Sequence, residues 1–174
     1  MGRHSDGAED LLGDWRADRV GSARRGENPM VLTKMRSGWA VIGDTQFLPG
    51  YCVLLSDVDG TGHLTDLPRS ARLDFLLDMS LLGEAILAAG NGLDPSLGRL
   101  NYEILGNTDR HYLHAHVFPR YGWEPAELLA GPVWAYPGDR WTSPRDAYSE
   151  EHEPLREAIA AELNRIIADA YGPS

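Results

Sequence analysis

HYLHAHVFPR (111–120) carries three of the chain's six histidines, His111, His114 and His116, and its alternation sets the reading of everything around it. Successive side chains on a β-strand point to opposite faces, so His114 and His116 share one face while Leu113, Ala115 and Val117 form an apolar row on the other. Two imidazoles therefore meet at one site. A neutral imidazole is a good nucleophile at neutral pH, and a second, cationic imidazole beside it would offset the charge of a phosphate. LHAHVFPR (113–120) predicts a strand with one packed face and one face suited to phosphoryl or nucleotidyl transfer.

Outward from this strand, RLNYEILG (99–106) reads as a second strand, joined to it by the turn-forming residues Asn107, Thr108, Asp109 and Arg110. Upstream, MVLTKM (30–35), GWAVIG (38–43) and YCVLLS (51–56) are short β-runs separated by Arg36 and Ser37 and by the Leu48, Pro49, Gly50 turn. Between the two groups, the spacing predicts a helix over 67–89. Thr65 or Asp66 would be its N-cap, Pro68 would lie in its first turn, and Gly90, Asn91 and Gly92 would stop it. Phe75, Met79, Leu82, Ile86 and Ala89 fall on one face of that helix, an ordinary core stripe.

A last helix is expected over 154–171, with Leu155, Ile159, Leu163, Ile166 and Ala170 as its buried stripe, and a leading helix over 9–25. The stretch 121–149 is rich in Pro, Gly and Trp without a sustained period and reads as an ordered covering loop. The polar residues MGRHSDGA (1–8) read as disordered. The fold class is therefore α+β: an antiparallel sheet of five to seven strands with the histidine strand central, the long helix packed on one face and a C-terminal helix. Residues 9–174 would form a single domain, the size that one core supports.

The bulk properties narrow the function. A net charge of -10, from 26 acidic and 16 basic residues, opposes wrapping a nucleic-acid backbone, which needs Lys and Arg. A small anionic ligand remains compatible if positive groups are concentrated locally. The single cysteine, Cys52, excludes an internal disulfide, and no apolar run suits a signal peptide or a membrane span. A cytoplasmic location is expected.

Gly106 and Asn107 followed by HYLHAHVFPR resemble the histidine triad (HIT) family, whose signature is three alternating strand histidines, two apolar residues and often Pro-Arg. SGWAVIGDTQFLPGYCVLLSD (37–57), GHLTDL (62–67) and LNYEILGN (100–107) are similar to the family's successive elements, and PVWAY (132–136) to a bacterial branch known as diadenosine polyphosphate hydrolases. The resemblance implies a nucleotide substrate of the adenine class and a homodimer formed through the long helix and a joining strand. It requires no metal or other cofactor. It makes His114, the middle histidine, the nucleophile that forms a nucleotidyl-histidine. His116 would hold phosphate oxygens or handle protons, Asn107 would contact the phosphate or the bridging oxygen, and Asp44 would bind the ribose.

The chain departs from the family pattern at two places. Counting back two from His114 reaches Tyr112, whereas counting forward from Gly106 and Asn107 selects His111, which a β-bulge could bring onto the active face. Tyr51 stands directly after the Pro-Gly turn, where the family usually has a histidine. Two rival functions follow: a nucleotide-binding protein without turnover, and a metal-binding cluster of His111, His114 and His116. Trp134 and Trp141 could close over a base or pack a neighbouring subunit. Arg120 could pair with substrate phosphate or, the favoured reading, with Glu103. Either Glu103 or Tyr102, but not both, faces the site. His63 reads as structural at a helix entry, and His4 and His152 as surface residues.

Overall fold

The computed structural model describes residues 15–106 and 112–172. In chain order these form α1 (Arg19–Arg24), β1 (Val31–Lys34), β2 (Gly38–Ile42), β3 (Cys52–Ser56), α2 (Arg69–Asn91), β4 (Leu97–Glu103), β5 (His114–Tyr121), α3 (Ala126–Leu129), α4 (Gly138–Thr142) and α5 (Glu153–Tyr171). The five strands make one sheet in the order β1-β2-β3-β5-β4, with every neighbouring pair antiparallel. The α+β class is as expected, and the histidine strand lies between β3 and β4.

One face of the sheet carries Ala40, Ile42, Cys52, Leu54, Ala115 and Val117, all buried. α2 and α5 pack on each other and on this face. Phe75, Leu82 and Ile86 of α2 and Ile159 and Leu163 of α5 are almost wholly buried, each large apolar side chain contributing roughly 1.5–3 kcal/mol of transfer free energy. α2 runs close to β4 because Gly83 has no side chain: a Cβ there would collide with the Tyr102 hydroxyl and Leu100 Cδ1. The two helices are also tied by polar contacts. The buried Asp78 carboxylate accepts from Ser37 N and Ser37 Oγ, both at 2.6 Å, and from the Tyr171 hydroxyl.

Several boundaries differ from expectation for local reasons. α2 starts two residues late, with Pro68 as N-cap, because Asp66 is spent earlier: its carboxylate accepts from Gly62 N and His63 N around the turn Leu64–Asp66. His63 has the structural place assigned to it. Of the expected helix stripes, Met79 and Leu155 are only half-buried and Ala170 is exposed. The leading helix is short in its described part, Arg19–Arg24, and residues 1–14 lie outside the described residues. His152 is not a free surface residue. Its Nδ1 accepts from Ser149 N at 3.0 Å, and its ring stacks on Tyr148.

The opposite face is covered by α1 and by residues 122–152, a succession of short helical turns as the covering-loop reading expected. Arg120 anchors this cover and does not reach Glu103. Its guanidinium donates to both Glu124 oxygens, at 3.1 and 2.9 Å, and to the carbonyls of Gly131 and Leu128. Glu124 also accepts from Tyr121 N and the Tyr136 hydroxyl, so this wholly buried ion pair has its remaining lone pairs satisfied. Further along, Tyr148 N donates to Asp44 O and Gln46 N to Asp146 O, and Phe47 packs against Tyr136 and edge-on to Trp141. Among the described residues no helix is long and apolar enough to cross a membrane.

Candidate active site

Between the sheet and its cover lies a cavity of about 400 Å³ lined by His114, His116, Tyr51, Tyr112, Asp44, Arg19 and Trp134, among others. The strand register places its floor. His114 lies opposite Leu55 and His116 opposite Val53 on β3, while His116 lies opposite Glu103 on β4. The alternation expected of the histidine strand holds: Ala115 and Val117 face the helices, and the two histidines face the cavity. Their rings stand edge to face, 4.9 Å apart.

His114 is buried, at 7% exposure, and its Nδ1 lies 3.0 Å from the backbone oxygen of Tyr112. A carbonyl oxygen only accepts, so Nδ1 carries the proton and the lone pair of the neutral ring sits on Nε2. Tyr112 thus serves His114 through its backbone, with its ring 5.3 Å away. His116 Nδ1 is 2.7 Å from the Tyr51 hydroxyl. Burial, and secondarily the nearby His114, pull the His116 pKa down to about 3, while burial pushes the Tyr51 phenol above its ordinary range. His116 is therefore neutral at physiological pH. Of the two imidazoles, His116 is the one that burial disfavours as a cation.

Tyr51 Oη and His116 Nδ1 share this hydrogen bond, and Nε2 of His116 is buried with no hydrogen-bond partner among the described residues. Glu103 resolves the question left open for β4. It faces the cavity, with Oε1 accepting from Asn101 Nδ2 and Val133 N and with Oε2 buried and unpartnered among the described residues. Tyr102 points instead to α2.

Asp44 lines the cavity but already has partners. Arg19 Nη1 and Nη2 donate to its two oxygens at 3.0 and 2.5 Å, and Arg16 Nε lies 3.6 Å away. The bond to Asp44 raises the Arg19 pKa further, keeping it cationic. Sequence reasoning missed Arg19. Its one signal was the spacing of Arg16 and Arg19, three residues apart in a leading helix, which says nothing of where that helix docks.

Trp134 is 61% exposed, and Trp141 is packed edge-on against Phe47 and Phe118. Cys52 lies on the far face, its buried thiol donating to Gly50 O and pushed up in pKa, so it takes no part. Asn107 and His111 lie outside the described residues. Among the described residues no group of three or more His, Cys, Asp or Glu side chains is arranged to hold a metal ion.

No protein-family model and no curated protein matches the sequence. Solved structures do match. A histidine triad protein from Marinobacter aquaeolei aligns with a TM-score of 0.60 and 24% identity, over 80% of this chain and 88% of that one. A hypothetical histidine triad nucleotide-binding protein from Sulfolobus tokodaii gives 0.60 and 12%, over 84% and 91%. A zinc-bound histidine triad family protein from Mycobacterium smegmatis gives 0.54 and 17%, over 87% and 94%. The fold of this chain is that of the histidine triad proteins.

Proposed function

We propose that this chain is a nucleotide phosphate hydrolase or nucleotidyl transferase working through a covalent nucleotidyl-histidine at His114. The observation that carries the reading is the bond between His114 Nδ1 and the Tyr112 carbonyl, which fixes the tautomer whose Nε2 lone pair can attack. In the first step Nε2 forms a bond to the α-phosphorus, and the bond from phosphorus to the leaving-group oxygen breaks, its electron pair going to that oxygen. In the second step water attacks phosphorus, loses a proton to solvent, and the N–P electron pair returns to Nε2; another acceptor in place of water gives transfer.

His116 Nε2–H would donate to a phosphoryl oxygen as charge builds there, with Asn107 and strand amides as further donors. Asp44, Tyr51, Tyr112 and Trp134 would shape the binding of the nucleoside and phosphates. On the resemblance, diadenosine polyphosphates and adenosine phosphate derivatives are the first substrates to try. The proposal includes a cytoplasmic homodimer. β4 is an edge strand, and Leu73, Leu77, Tyr102 and Ile104 beside it are exposed, as an interface through α2 and that strand would use them.

The test is intact mass of the full chain after brief mixing with diadenosine tetraphosphate. An acid-labile gain of one adenylyl unit, absent in His114→Ala, is expected. Tight nucleotide binding with neither adduct nor product would instead support binding without turnover.

A further inference from the structure

The charge inventory of the cavity points to a residue that neither the histidine strand nor the resemblance supplies. His116 faces a substrate as a neutral ring, and Glu103 and Asp44 are acids. Among the described residues lining the cavity, Arg19 is the one arginine or lysine. It is also placed at a junction. Arg19 and Tyr112 line both the main cavity and a second one of about 290 Å³, whose wall includes Arg16, Ser56 and Gly60. The acids of that second cavity have partners of their own, Asp59 with Arg24 at 2.8 Å and Asp18 with Arg25 at 3.3 Å.

Asp44 holds the Arg19 guanidinium end-on, taking two of its five N–H donors and leaving others directed away from the carboxylate. Arg16 reaches the same carboxylate, so Asp44 is shared between two guanidinium groups. A neutral His116 adds a second constraint. It is a poor acid, so the departing group gains no ready proton from it and must be stable as an anion.

We propose that Arg19 is a specificity-determining residue that receives the phosphate of the departing group at the junction of the two cavities, so that the site selects nucleotides with an anionic, polyphosphate-type leaving group over those losing a neutral amine. This rests on the nucleotidyl-transfer reading above and names the half of the substrate which that reading leaves open. Arg19 touches the leaving group as it departs and takes no proton; the bonds made and broken remain those at phosphorus.

The experiment compares wild type, Arg19→Ala and Arg19→Lys on diadenosine tetraphosphate, which loses an anionic nucleoside triphosphate, and adenosine 5′-phosphoramidate, which loses ammonia. Arg19→Ala should lower kcat/KM for the tetraphosphate about tenfold or more relative to the phosphoramidate, the scale of one charge-assisted contact. Arg19→Lys should recover part of the difference. Equal losses on both substrates, or none, would overturn the assignment, since a merely structural Arg19 cannot tell leaving groups apart. Calorimetry supplies a readout independent of turnover. Arg19→Ala should weaken binding of a methylene-bridged ATP analogue about tenfold, and of AMP less than about twofold. An unchanged ratio rejects Arg19 as the selector. If that ratio shifts while neither substrate forms the His114 adduct, Arg19 is a contact for the distal phosphates, and the nucleotidyl-transfer reading fails together with the leaving-group role.

Discussion

The two faces of the sheet use the same strands for opposite ends. On the helix face, Ala115, Val117, Leu54 and Ala40 meet α2 and α5 in continuous apolar packing, broken by one carboxylate, Asp78, whose bonds to Ser37 and Tyr171 fix the helices in place. On the cavity face, residues one step along the same strands are His114, His116 and Glu103, and two of these carry buried polar atoms without partners among the described residues. Burying an unpaired polar atom costs on the order of 1–3 kcal/mol, a cost borne by the packing on the other side. The helix face stabilises the chain; the cavity face stores groups ready to bind. Substitutions on the two faces should therefore separate stability from activity.

The sharpest separation is His114→Ala. Removal of the nucleophile should lower the rate of diadenosine tetraphosphate turnover by about a thousandfold or more, while denaturant unfolding shifts by no more than about 1–2 kcal/mol. A comparable loss of stability would place His114 in the core rather than in the chemistry. Leu82→Ala is the mirror image. Leu82 is fully buried under the sheet, and its truncation should cost about 2–5 kcal/mol in urea unfolding while the protein that stays folded keeps its adduct yield.

His116 offers a test through pH. The unfolded chain protonates this imidazole below its ordinary value of 6.5, the folded chain only near 3, so between those values the unfolded state binds more protons and stability rises with pH. Stability conferred by the neutral ring is thus lost as the pH falls from 6.5 toward 3, at roughly 1.4 kcal/mol per unit at most. In His116→Asn the loss of stability between about pH 6.5 and 4.5 should be smaller than in wild type by about 2–3 kcal/mol, read from paired urea titrations. An identical loss would mean that His116 is solvated and titrates normally. The smallest effect is expected of Tyr51→Phe. It removes one hydrogen bond, worth about 1 kcal/mol, and with it the contact that orients the His116 ring. Turnover should drop several-fold while His114 still forms its adduct, as a single-turnover mass measurement would register.

What was legible in the sequence follows the same division. Period-two alternation and apolar stripes located all five strands and both long helices, because those patterns are made by the packed face itself. The floor of the site was legible for the same reason, since strand alternation forces His114 and His116 together. The ionisation of that floor was not. Residue type leaves a histidine able to take a charge near neutral pH, and only the burial of His116 against Tyr51 and Phe118 takes that option away. Partners distant in sequence were also hidden. Arg120 takes Glu124 rather than Glu103, and Asp44 takes Arg19, because both choices depend on where turns and a short helix dock, which no periodicity encodes. Tyr112, read as a departure from a histidine position, turns out to act through its carbonyl, which any residue would supply.

Catalysis at His114 depends, in the proposed reaction, on the Tyr112 carbonyl holding the ring in the tautomer that presents Nε2 to phosphorus. Long-range proton–nitrogen NMR of uniformly labelled protein at neutral pH tests it directly. A protonated, pyrrole-type Nδ1 and an unprotonated Nε2 are expected for His114, assigned by comparison with His114→Ala. A proton on Nε2, with Nδ1 bearing the lone pair, would contradict it.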